Sequence, residues 1–107
     1  MTNPKQITAP ELKQRLERSE KFTLLDVREP QEAEIVRLPN SRLIPLNDLP
    51  ARVSELDSAE PVVAYCHHGI RSANAAAFLR QAGFRAQSLS GGIEGWAIQM
   101  DPEMVRY

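Results

Sequence analysis

An α/β fold with a mainly parallel sheet and helices on both faces is predicted by three observations. Short apolar runs alternate along the chain with segments of helical pattern. The clearest run, Pro61-Val-Val-Ala-Tyr65, is apolar without interruption, as a strand covered on both faces must be. Two strand-like runs end near a reactive side chain, Asp26 in one and Cys66 in the other. In parallel α/β sheets function collects at the carboxyl ends of strands. The two side chains are therefore expected to meet on one edge of the sheet.

Thr8-Ala9-Pro10-Glu11 opens the first helix. The Thr8 hydroxyl can accept from the Glu11 amide while the Glu11 carboxylate reaches back to the Thr8 amide. Pro10 sits in the first turn, where its missing N–H costs little. Leu12 and Leu16 then lie on one helix face. Phe22 to Val27 is a short strand-like run carrying the charge of Asp26 at its end, and Glu29-Pro30-Gln31-Glu32 turns into a short helix. Arg42 to Pro45 reads as a brief strand and Leu49 to Leu56 as helical. After the Pro61–Tyr65 strand, Ser72 to Gln81 is predicted helical, with Gly83 at the C-terminal cap position. Ala73, Ala75, Ala76 and Ala77 are small enough for close helix-to-sheet packing. Ala86 to Leu89 is another short strand, and Gly91-Gly92 turns the chain into a last helix carrying Trp96.

The totals exclude several function classes. A chain of 107 residues fits one domain with one modest core, expected from residue 5 to residue 107. Thirteen basic and 14 acidic residues leave a net charge of −1. That balance gives no electrostatic reason to expect nucleic acid or an anionic membrane as a partner. The single cysteine cannot form an internal disulfide, and a lone thiol suits a cytoplasmic protein. The start, MTNPKQITAPELKQRLE, lacks the apolar core of a secretion signal. No stretch approaches the ~18 apolar residues that span a bilayer.

The stretch VAYCHHGIRSANAA, Val63 to Ala76, concentrates the chemistry. Cys66 ends a strand, Ser72 is expected to begin a helix, and His67, His68, Gly69, Ile70 and Arg71 lie between. Gly69 permits a turn that other residues resist. A loop curling there aims several backbone N–H groups at one spot, and the helix N-terminus adds partial positive charge. The Cys66 sulfur is expected to be stabilised as a thiolate in such a nest. A free cysteine is most often only a small buried hydrophobe; the strand, glycine loop and helix favour the reactive reading. His67 and His68 read as pocket wall, adding positive charge when protonated, or equally as polar loop residues. Consecutive residues make a poor chelating set, so no metal is expected. Arg71 either attracts an anionic substrate or braces the loop by pairing with an acidic residue such as Asp26 or Glu94; bracing is favoured. Ser72 reads as a helix N-cap, Asp26 as a pocket wall or an ion-pair anchor, with anchoring favoured, and Trp96 as core or rim packing.

Three stretches together resemble the signatures of single-domain rhodaneses: LLDVREPQE (Leu24 to Glu32), CHHGIRS (Cys66 to Ser72) and LSGGIEGW (Leu89 to Trp96). They fall in the family's order and spacing and span the chain from Ile7 to Trp96. The resemblance implies a five-stranded parallel sheet flanked by helices, and a sulfurtransferase. Cys66 would take a sulfane sulfur from a thiosulfate-like donor, hold it as a persulfide, and pass it to cyanide or to a small or protein thiol. The loop His67, His68, Gly69, Ile70 and Arg71 would cradle the persulfide through backbone amides, with Asp26, Arg28 and Ser72 in support and no cofactor. Two departures stand out. The family's Gly-His-Ile-Pro-Gly-Ala stretch is replaced by Val36-Arg37-Leu38-Pro39-Asn40-Ser41, keeping only the proline. His67 stands where many members carry Arg or Lys, which predicts weaker and more pH-dependent use of thiosulfate. The tail AIQMDPEMVRY is similar to the ends of rhodanese modules associated with adenylating enzymes. The rival readings are a persulfide carrier or scaffold without turnover, and a cysteine phosphatase or arsenate reductase. The phosphatase loops place five residues between Cys and Arg, whereas four residues, His67 to Ile70, stand here.

Overall fold

The computed structural model describes residues 4–107. Its elements run β1 (Gln6–Ile7), α1 (Ala9–Glu17), β2 (Thr23–Asp26), α2 (Pro30–Ile35), β3 (Arg42–Leu43), α3 (Leu49–Arg52), β4 (Val62–Tyr65), α4 (Ile70–Gln81), β5 (Ala86–Leu89) and α5 (Gly92–Gln99). The five strands form one sheet in the order β1-β5-β4-β2-β3, and every neighbouring pair is parallel. β4 lies at the centre with all four residues buried, as its unbroken apolar run requires.

Alternation along β2 and β4 divides the interior into two cores. Leu25, Val27, Ala64 and Cys66 face Ala75, Ala76 and Leu79 of α4 and Leu49 of α3. Leu24, Val63 and Tyr65 face Ala9 and Leu12 of α1 and Ile93 of α5, with Trp96 half-buried at the margin. The helices therefore cover both faces. The capping box of α1 is formed: Thr8 Oγ1 accepts from the Glu11 amide at 3.2 Å, and Glu11 Oε1 accepts from the Thr8 amide at 2.9 Å.

Four details differ from the sequence expectations. β1 has only two residues, too few to show alternation, and is a strand because it pairs with Ser88 and Leu89. Leu49 to Leu56 is not one helix but a four-residue α-turn followed by a 3-10 turn over Val53–Glu55. Leu49, Val53 and Leu56 pack on the first core in either conformation, so their spacing does not decide the helix type. Ala73 faces solvent, and only Ala75 and Ala76 of the four alanines are fully buried. Leu16 is two-fifths exposed near the end of α1, whereas Leu12 is buried. No helix among the described residues is long and apolar enough to cross a membrane.

Candidate active site

The chain leaves β4 at Tyr65, and Cys66 follows at its carboxyl end, 1% exposed. Gly69 adopts φ +113°, a backbone region L side chains rarely enter, and this turns the loop back on itself. The turn brings the Gly69 amide to 3.1 Å and the Ser72 amide to 3.4 Å from Cys66 Sγ, both donating to it. These amides belong to the N-terminal end of α4, whose unsatisfied N–H groups and dipole favour an anion. The expected nest is thus built of main-chain atoms.

Ser72 is not the N-cap. α4 begins at Ile70, with Gly69 as the cap, and Ser72 lies one turn inside and fully buried. Its hydroxyl accepts from the Cys66 thiol at 3.5 Å, lies 3.2 Å from the Gly69 carbonyl, and pairs with Ser88 Oγ at 2.7 Å. The serine closes the polar floor of the loop where an N-cap would have faced outward.

α5 grips the loop from the other side. The amides of Ile93 and Glu94 donate to the carbonyls of Cys66 and His67 at 2.9 and 3.1 Å. These two bonds tie the start of the loop to α5, while the Gly69 and Ser72 amides further along it face the sulfur. The approach is so close that a Cβ at Gly92 would overlap both carbonyls. Glycine is therefore a steric requirement of the site at Gly92, and a conformational one at Gly69.

Asp26 and Cys66 reach the same carboxyl edge of the sheet but do not meet. Asp26 is in register with Tyr65, so it shares the second-core face while Cys66 points to the first. Asp26 instead holds Arg28. Arg28 Nε and Nη2 donate to its two carboxylate oxygens at 2.9 and 2.8 Å. Arg28 Nη2 also reaches the Val36 carbonyl at 2.7 Å, and Nη1 reaches the Glu32 carbonyl at 3.4 Å and the Tyr107 hydroxyl at 2.8 Å. All five guanidinium N–H groups are thereby used. Burial opposes this charge, but the hydrogen bonds to Asp26 and Tyr107 outweigh it and hold Arg28 above its ordinary value. Tyr65 donates to Asp26 at 3.1 Å and accepts from the Leu38 amide at 3.2 Å, and burial pushes its phenol up. Ser41 Oγ lies 2.9 Å from the Tyr65 hydroxyl. The altered stretch Val36–Ser41 is thus fixed to the sheet through Val36, Leu38 and Ser41.

Arg71 braces the loop, as expected, but with a different partner. Asp26 is occupied by Arg28, and Glu94 by Arg106 at 2.9 and 2.7 Å. Arg71 turns to Glu32 of α2 and forms two parallel bonds of 2.6 and 2.8 Å. The Arg71 hydrogen bonds hold the Glu32 carboxyl down at about 2, despite partial burial. Glu32 also accepts from the Glu29 amide at 2.9 Å and from the Tyr107 hydroxyl at 2.9 Å.

His67 is sandwiched. Its ring stacks on His68 at 3.9 Å and on Tyr107 at 3.8 Å. The two neighbours must lie on opposite faces, because one face cannot hold both rings at that distance. Burial, then the neighbouring His68, pushes His67 below its ordinary value, and its Nε2 is buried with no partner. His68 and Ile70 are exposed, Ile70 by 77%. Cys66, His67, His68, Ile70 and Arg71 line a depression of about 300 Å³.

A family model described as a rhodanese-like domain matches residues 8–99. The chain belongs to the rhodanese-like family. A sulfurtransferase of Allochromatium vinosum is 39% identical over 93 residues, 86% of this chain and 87% of the relative. The probable adenylyltransferase/sulfurtransferase MoeZ of Mycobacterium tuberculosis is 42% identical over 104 residues, which are 94% of this chain but 26% of MoeZ. The rhodanese-like chain therefore spans about a quarter of that relative's length. A crystal structure of a rhodanese-related protein from Thermoplasma volcanium matches with a TM-score of 0.85 at 33% identity, covering 96% of this chain and 99% of that one.

Three contributors to the rhodanese-like site escaped the sequence reading. Glu32 reads there only as part of a helix-opening turn, although its carboxylate organises Arg71. Ser88 carries no local signal, because its pairing with Ser72 depends on the β4–β5 register. Tyr107 lies in an irregular tail, where periodicity is silent.

Proposed function

We propose that this chain is a sulfurtransferase that carries a sulfane sulfur on Cys66. The observation that supports it most is the pair of amides, Gly69 and Ser72, donating to a buried sulfur at a strand end. Such donors stabilise negative charge on sulfur before and after it gains a second sulfur atom. The Cys66 thiolate attacks the outer sulfur of a donor such as thiosulfate. A new S–S bond forms, the donor's S–S bond breaks, and sulfite leaves with the electron pair. The acceptor, cyanide or a small or protein thiolate, then attacks the terminal sulfur and Cys66 departs as thiolate. The chain has no second cysteine, so the acceptor comes from outside.

Roles follow from position. Cys66 is the nucleophile; His67, His68, Gly69, Ile70 and Arg71 shape the loop around its sulfur. Asp26 and Arg28 fix the ends of β2 and the 36–41 segment, and Ser72 supports the loop floor. We place the reaction in the cytoplasm, where a lone thiol stays reduced. A phosphatase reading is disfavoured by Arg71, whose guanidinium is spent on Glu32 and does not close a ring around a tetrahedral oxyanion.

The test is intact mass after incubation with thiosulfate. The wild type is expected to gain about one sulfur atom, ~32 Da, and to lose it on addition of cyanide or a thiol. Cys66→Ser is expected to gain nothing while keeping its fold. A gain in Cys66→Ser equal to that of the wild type would overturn the assignment.

A further inference from the structure

Three arginines near the Cys66 loop, among the described residues, are paired with carboxylates. Arg71, the one that lines the depression, is held by both oxygens of Glu32. Arg28 is held by Asp26, and Arg106 by Glu94. Among the described residues that line the depression, the other groups able to carry positive charge are the histidines, and His67 is pushed toward its neutral form by burial between His68 and Tyr107. A site built for a small dianion would present an open guanidinium or ammonium at its mouth. Here that group faces a carboxylate.

Tyr107 keeps Glu32 in this role. Its hydroxyl stands between the two, accepting from Arg28 Nη1 at 2.8 Å and donating to Glu32 Oε1 at 2.9 Å. Without that hydroxyl the buried Arg28 Nη1 loses an acceptor, and a buried donor seeks a replacement strongly. Beyond the Glu32 carbonyl that Nη1 already reaches, an acceptor on the far side of the same hydroxyl is Glu32 Oε1, 2.9 Å from it. Tyr107 therefore acts as a spacer that leaves the Glu32 carboxylate to Arg71.

We propose that Glu32, positioned by Tyr107, sets donor specificity: by neutralising Arg71 at the mouth it favours singly charged sulfur donors over dianions such as thiosulfate. The proposal rests on the sulfurtransferase reading and deepens it. Thiosulfate remains a substrate, but a poorer one than a monoanion carrying the same transferable sulfur. Methanethiosulfonate is such a monoanion, of similar size. The Cys66 thiolate attacks its outer sulfur, the S–S bond breaks, and methanesulfinate leaves in place of sulfite.

The test compares kcat/KM for methanethiosulfonate and thiosulfate in the wild type, Glu32→Gln and Tyr107→Phe, at one pH and low ionic strength. Glu32→Gln keeps the shape of the side chain and removes its charge. It is expected to shift the preference about tenfold toward thiosulfate, the scale of one added unit charge interaction at a partly exposed site. Tyr107→Phe keeps the ring on His67 and removes the spacer hydroxyl. It is expected to shift the preference in the same direction, by about threefold. A purely structural role would lower both donors alike, so an unchanged ratio in a folded Glu32→Gln protein overturns the proposal. If Glu32→Gln does not fold, an unchanged ratio in Tyr107→Phe overturns it. A second readout does not depend on sulfur transfer: the relative rate of Cys66 alkylation by iodoacetate and iodoacetamide. That ratio is expected to rise in both variants. A wild type that accepts sulfur from neither donor defeats the sulfurtransferase reading alone, and an unchanged alkylation ratio then defeats the charge argument as well.

Discussion

Replacing Arg28 with alanine tests the buried network that supports the site. Arg28 and Asp26 are 0% and 1% exposed in their side chains. The substitution leaves the Asp26 carboxylate inside the protein with, among the described residues, the Tyr65 hydroxyl and the amide of residue 28 as donors. Removing one partner of a buried ion pair costs about 3–5 kcal/mol, because the remaining charge is uncompensated. The lost packing of the side chain stem adds to this, whereas water entering the gap at Val36 and Tyr107 offsets part of it. A loss of about 4 kcal/mol is a large share of the ~5–15 kcal/mol that holds a domain folded. For a chain of this size it lowers Tm by roughly 16 °C, at ~4 °C per kcal/mol. In urea the midpoint falls by about 2 M for an m-value near 2 kcal/mol/M. The assay is equilibrium urea unfolding followed by circular dichroism. Arg28→Lys keeps a charge beside Asp26 but cannot serve five acceptors, and should fall between the two. The double variant Asp26→Leu/Arg28→Met removes both charges and should recover most of the loss. A cost below about 1 kcal/mol for Arg28→Ala, or a double variant as unstable as the single one, would refute the argument from uncompensated charge.

Three further outcomes are expected. Gly92→Ala forces its methyl group into the carbonyls of Cys66 and His67; it should cut persulfide formation at least about tenfold, since displacing a reacting group by even 1 Å is costly, and a wild-type rate in a folded variant would argue against the close grip of α5. Gly69→Val places a β-branched residue at φ +113°; it should destabilise the protein by about 1–3 kcal/mol and slow sulfur loading, checked by thermal melts beside the mass assay. The Glu32–Arg71 pair carries a pH signature. The Glu32 carboxyl is depressed from 4.5 to about 2, so its stabilisation is complete above pH 4.5 and lost as pH falls through about 2. The stability difference between wild type and Glu32→Gln should therefore hold steady from pH 7 to about 5 and shrink below that in urea titrations, and a difference that fades between pH 7 and 5 would contradict the pairing.

The frame of the site was legible because it depends on local chemistry. An unbroken apolar run needs cover on both faces, which places Cys66 at the end of the central strand. Thr8 and Glu11 announce a helix start whatever the rest of the chain does. Gly69 before Ile70 signals a left-handed turn into α4. What stayed hidden depends on competition between distant groups. Arg71 had acidic candidates in Asp26 and Glu94, and the sequence does not show that both are already taken. The choice of Glu32 follows only once Arg28 has folded back on Asp26 and Arg106 has reached Glu94. The start of α4 was misplaced by two residues, Ser72 for Ile70, because a glycine too can cap a helix, and helix ends blur at that scale.

The hydrogen bonds from α5 to the Cys66 and His67 carbonyls separate two jobs that many sites combine. The cradle is drawn in peptide groups, so its shape is encoded at Gly69 and Gly92 and in the register of α5, not in the side chains that decorate it. Positions 68 and 70, whose side chains are exposed, are then free to vary. Exchanging them amounts to changing the lock plate on an unchanged door: new donors and acceptors can be admitted without rebuilding the place where the sulfur rests.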